Sequence, residues 1–265
     1  MFDRFNRTIN YLRISVTDRC NLRCIYCMPE EGIRQLDHSD ILSFEEIADF
    51  TRMAVANGIT KVRLTGGEPL ARKNIVELVA MLAAIEGLED LSMTTNGILL
   101  SKFASDLKKS GLNRINISLD TVNPDNYCQI TRNGDLTQVL EGIEAARQAG
   151  LEPIKINCVL LGQPDEETQQ LRQFCETRDL KLRFIHQMNL KTGEFSTVEG
   201  GEGGNCSKCN RIRLLANGDI KPCLFSDLAY NIRKLGNQEA LTLTIGNKPR
   251  SGTYNKSGEF YNIGG

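Results

Sequence analysis

Leu12-Arg-Ile-Ser-Val-Thr-Asp-Arg-Cys20-Asn-Leu-Arg-Cys24-Ile-Tyr-Cys27 joins a strand-like run, residues 12–16, directly to three cysteines spaced C-x3-C-x2-C. Three thiols on one short loop form a ligand set. A four-iron, four-sulfur cluster usually takes four thiolates, so three from one loop leave one iron open to another ligand. A zinc ion also needs a fourth ligand, and no histidine stands closer than His38.

Outward from that loop, strand-like and helix-like runs alternate to about residue 186, the pattern of βα units around a parallel sheet. The strands are expected at 12–16, 62–65, 91–95, 114–119, 154–160 and 182–185, with helices at 44–57, 74–85, 101–110, 137–149 and 166–177. Ser43 and Glu46 form a capping-box pattern, and Gly58, Gly111 and Gly150 fall just past helix ends. Six βα units are too few for a closed eight-stranded barrel. The expected fold is therefore α/β, an open partial (βα)6 TIM-type barrel with its chemistry at the carboxyl ends of the strands. After Met188 the pattern gives way to a Gly-rich stretch, a cysteine-containing segment and a polar tail, which sets the expected division at 1–188 and 189–265.

The chain has 32 basic and 33 acidic residues, so no bulk attraction to nucleic acid or an anionic membrane is encoded. No run of 18 apolar residues and no secretory core occurs, and a cytoplasmic location is expected. Six of the nine cysteines fall into two tight groups, which favours metal ligation over a disulfide framework. Cys128, Cys158 and Cys175 stand apart among apolar neighbours and read as small buried residues.

The second group, Cys206-Ser-Lys-Cys209 with Cys223, is again three thiols and reads as a second cluster with an open iron. Zinc is the alternative, though no fourth Cys or His follows Cys223. Asn217-Gly218 is a two-residue hairpin signal that would return Cys223 to the first pair. Arg211 and Arg213 alternate as strand residues do and so share a face, a pairing suited to an anionic ligand such as phosphate.

The first cysteine spacing, Tyr26 before its last cysteine, and Gly66-Gly67-Glu68-Pro69 after the second strand together resemble the radical S-adenosylmethionine (SAM) superfamily. Adding Thr94-Thr-Asn-Gly97, Asn116-Ile-Ser-Leu-Asp120, Lys155-Ile-Asn157, Arg183-Phe-Ile185 with Met188, Cys-x-Arg-x-Arg in the second group and a terminal Gly264-Gly265, the chain is similar to the molybdenum cofactor biosynthesis protein A family of GTP 3′,8-cyclases. The resemblance implies two [4Fe-4S] clusters, held by Cys20, Cys24 and Cys27 and by Cys206, Cys209 and Cys223. It implies SAM contacts from Tyr26, Gly67, Ser118 and Met188, and GTP contacts from Arg13, Arg63, Thr94, Lys155, Arg211 and Arg213. It also implies guanine at the second cluster's open iron and a catalytic part for Gly264 and Gly265. Expected partners are GTP, an external one-electron reductant of flavodoxin or ferredoxin type, a downstream pterin-forming enzyme and a second copy in a homodimer, with neither nucleic acid nor membrane.

Two departures from the family pattern stand out. Only 17 residues separate Met188 from Cys206, where the family has a longer stretch, and His186 stands where an acidic residue usually follows Arg-Phe-Ile. Two other readings remain at this stage: a radical SAM paralogue acting on another substrate such as a peptide, and a non-catalytic iron–sulfur electron carrier. The carrier reading gives no reason for an open iron or a strand-end cofactor pocket.

Overall fold

The computed structural model describes residues 1–256, and the roles expected of Gly264 and Gly265 lie outside the described residues. Six parallel strands come first: β1 (Tyr11–Ser15), β2 (Lys61–Thr65), β3 (Asp90–Thr95), β4 (Arg114–Ser118), β5 (Lys155–Leu160) and β6 (Lys181–His186). The expected helices between them are α1 (Phe44–Ala56), α2 (Ile75–Ala83), α3 (Leu100–Lys109), α5 (Leu136–Gln148) and α6 (Asp165–Glu176). The Ser43 and Glu46 box is formed in both directions at the start of α1. Gly58, Gly111 and Gly150 all adopt positive φ, between 74° and 99°, at the helix ends.

One helix among these was not expected. α4 (Pro124–Thr131) starts where the Asn123 side chain accepts a hydrogen bond from the Asn126 N–H, with proline at the first helical turn. Cys128 lies on it and is exposed, which corrects its reading as a buried residue; Cys158 and Cys175 are buried as expected.

The later part of the chain continues the same sheet. β7 (Arg211–Leu214) pairs parallel with β1, and β8 (Asp219–Lys221) and β9 (Tyr230–Asn231) follow antiparallel, giving the order β6-β5-β4-β3-β2-β1-β7-β8-β9. The β7–β8 connection is the Asn217-Gly218 turn, where Gly218 has φ 85°. The stretch read as a polar tail contains α7 (Ile232–Leu235) and α8 (Asn237–Gly246). Ala240, Leu241, Thr244 and Ile245 make a buried stripe on α8.

Along each strand, side chains alternate between faces. Leu12 and Ile14 of β1, Val62 and Leu64 of β2 and Ile115 and Ile117 of β4 point to the helical side and are fully buried there. The same core takes in Ile212, Ile220, Ile232, Leu241 and Ile245, so one apolar layer runs beneath the barrel strands and the later strands alike. The opposite face carries Tyr11, Arg13, Arg63, Thr94, Arg114, Asn116, Lys155 and Arg183, and faces a cavity. Among the described residues no helix is long and apolar enough to cross a membrane.

Because α8 shares this core, Leu241→Ala removes fully buried atoms and should cost about 2–5 kcal/mol. Urea unfolding followed by circular dichroism should show a lower midpoint in a single transition. Two separate transitions would show that α8 is stabilised independently of the barrel.

Candidate active site between two cysteine groups

The first cysteine loop is fastened to the strand ends by backbone. Gly67 N donates to Thr17 O at 2.7 Å and Glu68 N to Arg19 O at 2.8 Å. A Cβ on Gly66 would meet Thr17 O at 2.7 Å, and one on Gly67 would collide with the Arg19 carbonyl. The two glycines therefore let the loop after β1 lie on the loop after β2. The Glu68 carboxylate accepts from Thr95 Oγ1 and Asn96 N, both at 2.7 Å, and from Leu70 N at 3.0 Å, which joins the ends of β2 and β3. Burial pushes this carboxyl up to about 7 even so.

From the other side, α4 grips the loop. Arg23 N donates to Thr131 O, Ile25 N to Ile130 O, and Arg132 Nη1 to the carbonyls of Arg23 and Met28 at 2.7 and 3.0 Å. The Tyr26 hydroxyl donates to Asp120 Oδ2 at 2.9 Å, and Asp120 Oδ1 accepts from Val159 N at 2.8 Å, so the loop is also tied to β4 and β5. Burial pushes Asp120 up to about 6. Burial likewise raises the Cys20, Cys24 and Cys27 thiols, Cys27 to about 11, and at Cys24 the neighbouring Asp120, Cys27 and Cys20 add to it. Thiols crowded in this way become thiolates only with a cationic partner, so the donor set fits an iron cluster. Among the described residues no three Cys, His, Asp or Glu side chains are arranged to hold a single metal ion.

The second group lies across β7 from the first. Cys206 begins a short 3-10 turn, Cys209 N donates to Cys206 O at 3.2 Å, and Cys223 returns beyond β8. Two buried cations hold its backbone. Arg7, paired with Asp3 at 2.7 Å, donates to the Cys206, Pro249 and Arg250 carbonyls. Lys248, 1% exposed, donates to Arg211 O at 2.6 Å and Pro222 O at 2.7 Å. Burial raises the Cys223 thiol; at Cys209 the same burial is outweighed by Lys248, the Arg211 N–H and the Arg211 and Arg213 guanidiniums, and the thiol lies below its usual value.

Between the two groups the strand register lines up charge. Arg213 of β7, Arg13 of β1 and Arg63 of β2 are direct neighbours in one row. Burial lowers all three, Arg213 to about 10, and other guanidiniums add to it: Arg213 and Arg63 at Arg13, Arg114 and Arg183 at Arg63, and Arg211 at Arg213. Asn116 pairs with Thr94 on one side and Lys155 on the other. Burial, followed by Arg183, Arg114 and Arg63, brings Lys155 down to about 8. Among the described residues the cavity of about 610 Å³ is walled by seven Lys or Arg side chains against three carboxylates, Glu68, Asp90 and Glu202. Thr94 Oγ1 and both amide atoms of Asn116 are buried beside it with no hydrogen-bond partner among the described residues. Such a wall suits an anionic ligand with polar groups of its own.

Most of the residues expected at the site meet there. Cys20, Cys24, Cys27, Tyr26, Gly67, Ser118, Met188, Arg13, Arg63, Thr94, Lys155 and Arg211 all line the cavity. Arg213 stands beside Arg13 in the row but off the cavity wall, and Cys206, Cys209 and Cys223 lie behind it. Lys61, Arg114 and Arg183 join the wall without having been singled out. Their signal was parity: Lys61 and Arg114 sit an even number of residues from Arg63 and Asn116 on the same strands.

Residues 14–175 match the Radical SAM superfamily model. A GTP 3′,8-cyclase of Thermodesulfovibrio yellowstonii is 42% identical over 292 aligned positions, covering 92% of this chain and 91% of that protein. The chain belongs to the radical SAM superfamily and, within it, to the GTP 3′,8-cyclase family. Other cyclase-family relatives are those of Moorella thermoacetica, 44% identical with 88% and 86% covered, and of Peptoclostridium acidaminophilum, 41% identical with 100% and 98% covered. The last alignment spans 320 positions against 265 residues here, so at least 55 positions of it have no counterpart in this chain.

Solved structures share the fold at lower identity. The structure titled "Native anSMEcpe with bound AdoMet" superposes with a TM-score of 0.67 at 17% identity, over 90% of this chain and 81% of that one. Streptococcus suis SuiB bound to precursor peptide SuiA gives 0.68 at 17%, over 91% and 65%.

The Lys155 environment makes the binding of a polyphosphate pH-dependent. Below about pH 8 its ammonium is present before and after the anion arrives, and affinity is steady in that respect. Above it, an anion that favours the ammonium must draw in a proton, so affinity falls as pH rises, by up to about tenfold per unit for one proton. Calorimetric titration of inorganic tripolyphosphate between pH 7 and 9.5 should show this fall. Lys155→Met should bind more weakly with a flatter profile, and an equal slope in both proteins would remove Lys155 from the ligand's surroundings.

Proposed function

We propose that this chain converts GTP to (8S)-3′,8-cyclo-7,8-dihydroguanosine 5′-triphosphate, an early step of molybdenum cofactor biosynthesis. The observation that carries the reading is the cationic wall set between the two cysteine groups, in a chain 42%, 44% and 41% identical to three proteins named for this activity. The first cluster with SAM, when bound, supplies a 5′-deoxyadenosyl radical that abstracts hydrogen.

This chain's residues do the remainder. Cys20, Cys24 and Cys27 hold the first cluster, with Tyr26, Gly67, Ser118 and Met188 around SAM. Arg13, Arg63, Thr94 and Lys155, joined by Arg211 and Arg213, orient the GTP, and their charges neutralise its triphosphate. Lys61, Arg114 and Arg183 belong to the same binding set by position. Cys206, Cys209 and Cys223 hold the second cluster, which takes the guanine. Gly264 and Gly265, two residues without side chains, take part in the reaction. In this division of labour residues 1–188 generate the radical and residues 189–265 hold the base.

The reading extends to a cytoplasmic enzyme that draws electrons from a flavodoxin or ferredoxin type donor, works as a homodimer and passes its product to a pterin-forming enzyme. The stretch after β6 is short, yet it still reaches the cavity. Gly200 O accepts from Arg183 Nε at 3.3 Å and Glu202 O from Arg211 Nη2 at 3.0 Å, so the Gly-rich segment spans the seam between β6 and β7.

Anaerobic incubation of the reconstituted protein with GTP, SAM and dithionite, followed by mass analysis, tests the reading. Cyclised nucleotide together with 5′-deoxyadenosine is expected, and 5′-deoxyadenosine alone would point to another substrate. Iron near eight per chain is expected from two four-iron clusters. Cys20→Ala should abolish SAM cleavage, whereas Cys206→Ala should keep some uncoupled cleavage and make no product. Deleting Gly264 and Gly265 should spare both clusters and SAM cleavage but block cyclisation; full-rate product from the truncated enzyme would show the tail to be idle.

A further inference from the structure

Lys248, just past the end of α8, is among the largest fully buried side chains of the protein, at 1% exposure. A buried ammonium is costly unless its charge and all of its donors are met. Two donors are met by backbone carbonyls, Arg211 O at 2.6 Å and Pro222 O at 2.7 Å. Those carbonyls flank the cysteines: Arg211 lies two residues after Cys209 and Pro222 immediately precedes Cys223. No carboxylate among the described residues pairs with Lys248. The groups that act on its charge are the sulfurs of Cys209 and Cys223 and, against them, the like charge of Arg7. Arg7, by contrast, has its own counter-ion in Asp3. Among the described residues, the opposite charge that this desolvated cation meets is therefore a pair of ligand sulfurs from two separate loops.

We infer that Lys248 is a positioning residue for the second cluster, fixing the Cys209 and Cys223 loops in one place and raising that cluster's reduction potential with its charge. The inference rests on the reading of Cys206, Cys209 and Cys223 as an iron–sulfur site. Reduction adds a negative charge to the cluster, so a fixed cation in a poorly solvated surrounding favours the reduced state. The two carbonyl contacts mean that the same side chain also sets the distance between the loops.

The test separates these parts. In the full chain with Cys20, Cys24 and Cys27 all replaced by Ala, only the second cluster remains, and its potential is read by electron paramagnetic resonance in a redox titration. Absence of any cluster from this background would overturn the iron–sulfur reading of the second group, not the role of Lys248 within it. Given a cluster, Lys248→Gln keeps amide donors for the carbonyls but removes the charge, and should shift the potential to more negative values. Lys248→Arg keeps the charge and should retain most of the parent value. Iron content and the apo-protein's unfolding midpoint are measured alongside. A Lys248→Gln potential equal to the parent, or an equal shift in both variants, would overturn the inference. Loss of the cluster from Lys248→Gln alone supports it, and loss from both variants counts against it.

Discussion

Burial of three guanidiniums in one row, Arg213, Arg13 and Arg63, is the constraint around which the site is organised. In-register parallel pairing of β7, β1 and β2 leaves these side chains no choice but to stand side by side, and burial weakens the solvent that would screen them. Each is driven below its ordinary basicity. The layer of Ile, Leu and Val on the opposite side of the same strands holds the row together. An anion bound in the cavity beside Arg13 and Arg63 is linked to folding, so the ligand-free barrel is less stable than the liganded one by mass action. The first cysteine group follows β1 and the second brackets β7 and β8, so the pairing of β7 with β1 brings the two groups into one sheet.

Much of this was legible in the chain. Local signals were enough for the six strands, their helices and the glycine stops at Gly58, Gly111 and Gly150, because periodicity and capping are written in neighbouring residues. The cysteine spacings marked both ligand groups for the same reason. What escaped depends on distant partners. The parallel pairing of β7 with β1 joins residues 200 apart, and no local pattern reports it. α8 hides because Ala240, Leu241, Thr244 and Ile245 make a narrow stripe in a polar setting. α4 had its signal in Asn123-Pro124, an N-terminal pattern overshadowed by the more conspicuous motifs around it.

At the site, the residues given a role stood inside recognised motifs, while Arg183, which heads one, and Lys61 and Arg114, which stand outside them, were given none. Lys61 and Arg114 begin their strands and line the cavity. Gly67 was expected to contact SAM, and besides lining the cavity it leaves room for the Arg19 carbonyl of its own chain. His186, the last residue of β6, lines the cavity and meets Glu199 of the following segment at 3.3 Å.

That segment does more than line the cavity. β6 is an outer strand of a long sheet, and among the described residues only Phe184 exchanges backbone hydrogen bonds on its outer side, with Glu199. Arg172 stacks over the Phe184 ring at 4.4 Å and reaches Glu199 at 3.8 Å, clasping the pair from α6. An uncovered outer strand is a template for another chain's backbone and a route to edge-to-edge aggregation. Among the described residues a two-hydrogen-bond bridge with one arginine over it is what stands between this edge of the barrel and the backbone of a neighbouring molecule.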